Sequence, residues 1–181
     1  MQQDSLVEHF RDMARNNAWS NHRLHRACAA LGERDYRAKR VSFFPSLHLT
    51  LLHIVEIDWL YLDQLEAVET DRLDSDYDLP IETFAELQEA QRRMDRRLIA
   101  YCDRLTPAIL ARRVVIRRSD GPRDDTARGV LSHLFVHQIH HRGQAHAMLS
   151  GTAVPPPQLD EYFLREDAPK RDAELRALEL I

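Results

Sequence analysis

The sequence predicts an all-α protein built as a four-helix bundle. Its 181 residues include only five glycines, few for a chain of hairpins and tight turns. Apolar residues recur at alternating steps of three and four along four long stretches, which is the spacing of one helix face. A chain of this length is expected to form one domain. We therefore treat residues 1–181 as a single domain, with the bundle over about 4–151 and a C-terminal extension over 152–181.

The first two helices follow from their apolar patterns. From Leu6 to Leu31 the inward positions step by four and three, which is typical of a helix packed in a bundle. The second stretch runs from about Pro45, a residue suited to a first helical turn, to Ala67. Apolar residues surround nearly its whole circumference, so this helix is predicted to be central.

The third and fourth helices are bounded by breakers and caps. The third is predicted from Ile81 to Leu105 and ends before Pro107. The fourth begins near Thr126 and ends at Gly151, which can adopt the left-handed conformation that closes a helix.

The links between these helices, residues 32–44, 68–80 and 106–125, are long for helix-to-helix turns. At least one of them can run the length of the bundle as a crossover and join parallel neighbours. Val114 to Ile116 suggests a short strand, and Asp120-Gly121 a turn. A short C-terminal helix is expected from about Lys170.

Composition excludes several classes of function. A net charge of −4 and a pI near 6.2 give no electrostatic basis for binding nucleic acid. No apolar run is long enough to span a membrane, and the first residues lack the features of a signal peptide, so we expect a cytoplasmic protein. Cys28 and Cys102 are far apart in sequence and form no Cys-x-x-Cys pair, which argues against a thiolate zinc site.

Five of the ten histidines lie within residues 133–146, on the fourth helix. His137 and His141 occupy positions that the helical pattern reserves for buried apolar residues, and burying them without partners would cost on the order of a few kcal/mol each. Residues four apart lie on the same helix face, so both could bind one metal ion. By spacing alone His140 could replace His141, and His133 is expected at the rim of the site.

Other residues of the predicted helices carry expectations of their own. Gln144 and Asn17 lie at core positions, where either could orient an imidazole through its second nitrogen or the two could set helix register. Gly143, within the fourth helix, suggests close approach of a neighbouring backbone or ligand. The remaining histidines are expected to face solvent: His9, His22 and His25.

A third ligand must come from another helix, and the second helix offers His48 and His53. These two residues are five apart, roughly 140° around the helix, so they cannot both face one ion. Periodicity alone does not decide between them.

Several motifs together resemble one known family. They are the run from Ser46 to Ile54 with Asp58-Trp59-Leu60, the element His137-x-x-x-His141-Arg142-Gly143-Gln144, Asn17-x-Trp19-x-Asn21, and the stretch Pro-Pro-Pro-Gln-Leu-Asp at 155–160. This combination, which spans most of the chain, resembles the DinB family of damage-inducible bacterial proteins. That family is unrelated to the DNA polymerase that shares its name.

The resemblance implies a DinB-like bundle of up-down-down-up topology that is often a homodimer. It also implies that His53, together with His137 and His141, binds a divalent metal ion. Relatives of this fold include enzymes that act on low-molecular-weight thiols such as bacillithiol or mycothiol. Zinc and nickel are the metals we expect, because imidazole suits both.

We therefore expect a metal-dependent enzyme, a thiol transferase or hydrolase, that acts on a small-molecule substrate or thiol. Three neutral imidazoles leave a coordination position open, where a thiol or water can be activated. Glu56, one turn from His53, is the candidate general base or fourth ligand, although the sequence also allows a solvated carboxylate. Arg142 is the candidate anion-binding group, although the sequence also allows a surface charge. The alternative is a non-catalytic metal-binding stress-response protein whose site stabilises the fold or a dimer.

Overall fold

The structure, a computed structural model, describes the backbone over residues 2–181 and side chains from residue 5 onward. It is mostly helical, with a small two-stranded sheet. The described elements, in chain order, are α1 (Gln2–Ala29), α2 (Glu33–Arg37), α3 (Leu47–Leu65), α4 (Phe84–Asp103), α5 (Pro107–Ala111), β1 (Arg113–Ile116), β2 (Arg123–Thr126), α6 (Ala127–Leu149) and α7 (Ala168–Ala177).

The four long helices are the four predicted stretches, and side-chain caps fix where three of them begin. The Ser46 hydroxyl accepts a hydrogen bond from the Leu49 N–H, so α3 starts at Leu47 and the predicted start at Pro45 was wrong. Thr83 and Glu86 form a capping box that starts α4 three residues later than predicted. Thr126 caps α6 by accepting from the Gly129 N–H at 3.1 Å, as its position predicted.

The two strands form an antiparallel hairpin that leads directly into α6. Val114 pairs with Asp125, and Ile116 with Arg123. Gly121 has a φ of 109°, a left-handed conformation that the connecting turn requires and that glycine adopts without strain. The predicted strand and turn are both confirmed.

The long helices contact one another in the cyclic order α1, α4, α3, α6. Their buried apolar residues form two clusters. In the first cluster the start of α1 and the start of α6 meet the ends of α3 and α4; it includes Phe10, Leu62, Leu98 and Val130. In the second cluster the opposite helix ends meet; it includes Leu24, Leu51, Leu87 and Met148.

The C-terminal extension folds back onto α1. Trp19 is fully buried against Tyr162, with ring centroids 5.8 Å apart, and Leu175 of α7 joins the same cluster. The Arg23 guanidinium lies 3.9 Å from the Trp19 ring and forms ion pairs with Glu174 and Glu161. Burial of these groups fixes the extension to the outer side of α1. None of the described helices has the length and apolar character needed to cross a membrane.

Candidate metal centre

Three histidines from two neighbouring helices converge at one point. His53 projects from α3, and His137 and His141 project from successive turns of α6. The Nε2 atoms of His53 and His137 are 3.1 Å apart. A set of ligand nitrogens, one from each ring, lies within 4.8 Å of one another. Such a group could hold a metal ion.

His48 lies apart from this group, which decides the choice that periodicity left open. Its buried ring packs edge-on against Tyr36 of α2, with centroids 5.6 Å apart. His53 instead has its ring centroid 5.0 Å from that of His137 and 4.8 Å from that of His141. The structure thus brings together the three residues that the family resemblance indicated.

All three imidazoles are neutral near pH 7 because burial disfavours their protonated forms. Burial lowers the pKa of His53 to about 4 and that of His137 to about 3. The pKa of His141 is also lowered, mainly by burial. A neutral imidazole offers its nitrogen lone pair to a metal ion, so this environment prepares all three side chains as ligands.

The ring of His141 is oriented by Gln144 on the same helix. Its Nδ1 lies 2.9 Å from Gln144 Oε1, while the Gln144 amide nitrogen lies 3.0 Å from His140 Nε2. Because an amide oxygen only accepts hydrogen bonds, His141 donates through Nδ1 and keeps its Nε2 lone pair free. Metal-binding histidines are commonly held in this way, and the sequence had suggested Gln144 for the task.

Two phenylalanines and two further histidines surround the group. Phe44 packs against His53, with ring centroids 4.4 Å apart. The neighbouring Phe43 lies 6.5 Å from His141 and has 77% of its surface exposed. His133 and His140 are exposed at the rim, as predicted for His133. The two phenylalanine rings therefore border the three-histidine group, in which His53 and His137 are half-buried and His141 is buried.

Arg142 lies in a buried polar network that joins the four long helices. Its guanidinium donates to the side-chain oxygens of Asn17, Asn21 and Gln138. With only 4% of its surface exposed, Arg142 is not the surface charge that the sequence allowed. The other members of the network are Asp58, Gln91 and Asp95, linked to it through Gln138 and the two asparagines.

Glu56 is half-buried on α3, one turn from His53. Its Oε1 accepts a hydrogen bond of 3.1 Å from the Leu79 N–H, which ties the α3–α4 link to α3. Burial raises the pKa of this carboxyl above its usual value, and the backbone hydrogen bond opposes that effect. The protonated form of Glu56 is therefore favoured more than that of an exposed carboxyl group.

Two expectations from the sequence differ from the structure. Gly143 was expected to allow close approach of a neighbouring backbone or ligand, and a Cβ built there meets no described protein atom within 4 Å, so no backbone approaches it. His25 was expected to face solvent with His9 and His22, but only 3% of its surface is exposed. Neither error could be avoided from helical spacing alone, because each depends on what packs against that face.

The sequence model of the DinB family matches residues 1–173. The chain belongs to the DinB family. A search of curated proteins found no match. Family membership and the three converging imidazoles are together consistent with a metal-binding enzyme of the DinB family.

Proposed function

We propose that His53, His137 and His141 of this DinB protein hold a divalent metal ion, zinc or nickel. Bonds of about 2.0–2.1 Å in a tetrahedral arrangement place two ligand nitrogens about 3.3–3.4 Å apart. The separation of 3.1 Å between the Nε2 atoms of His53 and His137 is close to that value. A third neutral imidazole, held by Gln144, lies on the adjacent turn. The donor set therefore fits a three-histidine metal site.

We further propose that the protein is a metal-dependent enzyme of the thiol-transferase or hydrolase type. The observation that carries this is that three histidines form the group and no fourth ligating side chain joins them among the described residues. A bound ion would supply Lewis acidity there, lowering the pKa of a coordinated thiol or water. A structural site, in contrast, is normally closed by four protein ligands.

The chain's own residues support such a reaction in distinct ways. Phe44 covers His53, which limits access of water from that side. In thiol transfer the sulfur–carbon bond forms, the leaving group departs with its bonding electrons, and the thiol proton passes to Glu56 or to water. In hydrolysis the same carboxylate accepts a proton from water. Arg142 is committed to the buried network, so we assign it the positioning of α6 rather than contact with substrate.

We propose the up-down-down-up bundle topology for the four long helices. The two apolar clusters support it, because the start of α1 meets the start of α6 and the ends of α3 and α4. This pattern makes α3 and α4 parallel neighbours, with residues 66–83 as the crossover. The homodimer stays a prediction that sedimentation of the purified protein would test.

The enzymatic proposal is tested by assaying zinc- and nickel-loaded protein for two reactions. The first is transfer of a small thiol, N-acetylcysteine, to a chloronitroarene; the second is hydrolysis of 4-nitrophenyl acetate without thiol. We expect the rate of one reaction to fall by about a hundredfold or more in His53→Ala. His48→Ala, on the same helix but away from the site, should keep it.

Failure of the metal-loaded protein to exceed the same metal in buffer, in both reactions, would contradict the enzymatic proposal. If metal removal then lowers only the melting temperature, the site is a structural one.

A further inference from the structure

A second candidate binding site lies on the other side of the helices. A cavity of about 390 Å³ opens between α1, α4 and the C-terminal residues 177–180. The three-histidine group, in contrast, lies between α3 and α6. The C-terminal wall is fixed, because the Leu180 N–H bonds the Leu175 carbonyl and Glu174 pairs with Arg23. The cavity is therefore built into the fold.

Gln91 lines this cavity and carries a buried hydrogen-bond acceptor without a partner. Only 1% of its surface is exposed. Its Nε2 donates to Asp58 at 2.8 Å and to Asp95 at 3.2 Å. Two carboxylates on the amide nitrogen fix the orientation of the side chain, since a carboxylate accepts hydrogen bonds. The Oε1 atom has no partner among the described residues, which is rare for a buried polar group.

The network behind Gln91 also has an excess of negative charge. Asp58 and Asp95 are both fully buried, whereas Arg142 is the one buried guanidinium among the described members of the network. Burial raises the pKa of Asp95 to about 6 and that of Asp58 to about 7. Asp95 accepts its three hydrogen bonds through Oδ1, so a cation in the cavity beside its Oδ2 would offset this charge.

The histidines that line the cavity do not supply that cation. Burial lowers the pKa of His25 to about 3, so this ring is neutral near pH 7. The pKa of His22 is also lowered, chiefly by burial. The two arginines that line the cavity, Arg92 and Arg96, form no ion pair with Asp95 either, which leaves room for the cationic group of a ligand.

The cavity also holds two arginines of α4, one turn apart. The Arg92 guanidinium bonds the Gln88 side chain, whereas Arg96 has no hydrogen bond or ion pair among the described residues. Leu178 and Leu180 contribute apolar surface to the same cavity. A carboxylate, a free guanidinium and an apolar wall in one cavity suit a short molecule with opposite charges at its ends.

We propose that this cavity binds a small zwitterion, with its ammonium group beside Asp95 and its carboxylate on Arg96. The alkyl segment of the ligand packs against Leu178 and Leu180. This site is separate from the proposed metal centre.

The test uses the full chain and four zwitterions of increasing length: glycine, β-alanine, 4-aminobutyrate and 6-aminohexanoate. Binding is followed by NMR, through the Gln91 side-chain amide and the His25 ring signals. At least one zwitterion should bind and shift both sets of signals. The analogues of that zwitterion that lack the amine or the carboxylate should each bind about tenfold more weakly or worse, because each loses one charge-assisted contact.

Arg96→Ala should weaken zwitterion binding about tenfold, because it removes the charge-assisted contact with the carboxylate. Arg96 is exposed, so its removal should not disturb the fold. Arg93→Ala is the matched control: it removes an exposed arginine of the same helix that does not line the cavity. His137→Ala should bind the zwitterion as tightly as the natural sequence does. The result of this test therefore does not depend on whether the three-histidine group binds a metal ion.

Absence of binding by all four zwitterions would overturn the proposal. So would equal binding of the matching amine without a carboxylate, or equal loss of affinity in Arg96→Ala and Arg93→Ala.

Discussion

Acidification should weaken zinc binding at the three-histidine group far less than at ordinary histidines. Protons compete with a metal only where the ligand binds them in the metal-free protein. Burial lowers the pKa of His53 to about 4 and that of His137 to about 3, so neither carries a proton in mildly acidic solution. The metal ion then displaces almost no protons from these two histidines when it binds.

The expected size follows from these pKa values. Protonation of a histidine with the ordinary pKa of about 6.5 weakens metal binding about tenfold at pH of about 5.5. Three such ligands would together lower the metal affinity about a thousandfold. His53 and His137 should contribute almost nothing to this loss. The remaining ligand, His141, also has a lowered pKa. We therefore expect the zinc affinity to fall by less than about tenfold between pH of about 7.5 and about 5.5.

The assay is competition with a chromophoric zinc chelator at both pH values, corrected for protonation of the chelator. Circular dichroism must accompany it. Below pH of about 6.5 these histidines bind protons in the unfolded chain but stay neutral in the folded protein. The free energy of unfolding is therefore unaffected above that pH and decreases as the pH falls toward the folded pKa values. A loss of affinity near a thousandfold in protein that remains folded would refute the reasoning.

Three other substitutions test the surroundings of the site. Arg142→Met leaves two buried carboxylates without their guanidinium and should lower the free energy of unfolding by about 3–5 kcal/mol. Urea denaturation at pH of about 8 measures this change, and an unchanged denaturation midpoint would contradict the buried network. Gln144→Ala removes the hydrogen bond to His141 and should weaken zinc binding about 10–100-fold in a chelator titration, whereas His140→Ala should change it little. Gly143→Ala fills open space on an exposed helix face and should raise the free energy of unfolding by about 0.5–1 kcal/mol, and a decrease would mean that this face is covered.

The helices could be predicted because their signals are local. Thr126 caps α6 where the sequence predicted, and the inward positions of α6 from Val130 to Met148 are buried or half-buried as expected. The two five-residue helices, α2 and α5, were missed because they are too short to show a repeating apolar pattern. The start of α3 was misplaced because a serine cap determined it rather than the adjacent proline.

The candidate site was only partly predictable. His137 and His141 could be assigned from their spacing on one helix face, because that depends on a single element. The choice of His53 over His48 needed the family resemblance, since it depends on how α3 is rotated against α6. The burial of Arg142 and His25 was missed for a similar reason. Their partners lie on other helices, and helical periodicity carries no information about them.

The most direct test of the metal centre is the metal content of the tag-free protein, measured by mass spectrometry after reconstitution with zinc or nickel. We expect near-stoichiometric metal in the natural sequence and in His48→Ala. The metal should be lost in each of the three ligand variants: His53→Ala, His137→Ala and His141→Ala. Circular dichroism of each variant would show that the fold is retained. Absence of metal from the natural sequence, or its retention in all three ligand variants, would contradict the account.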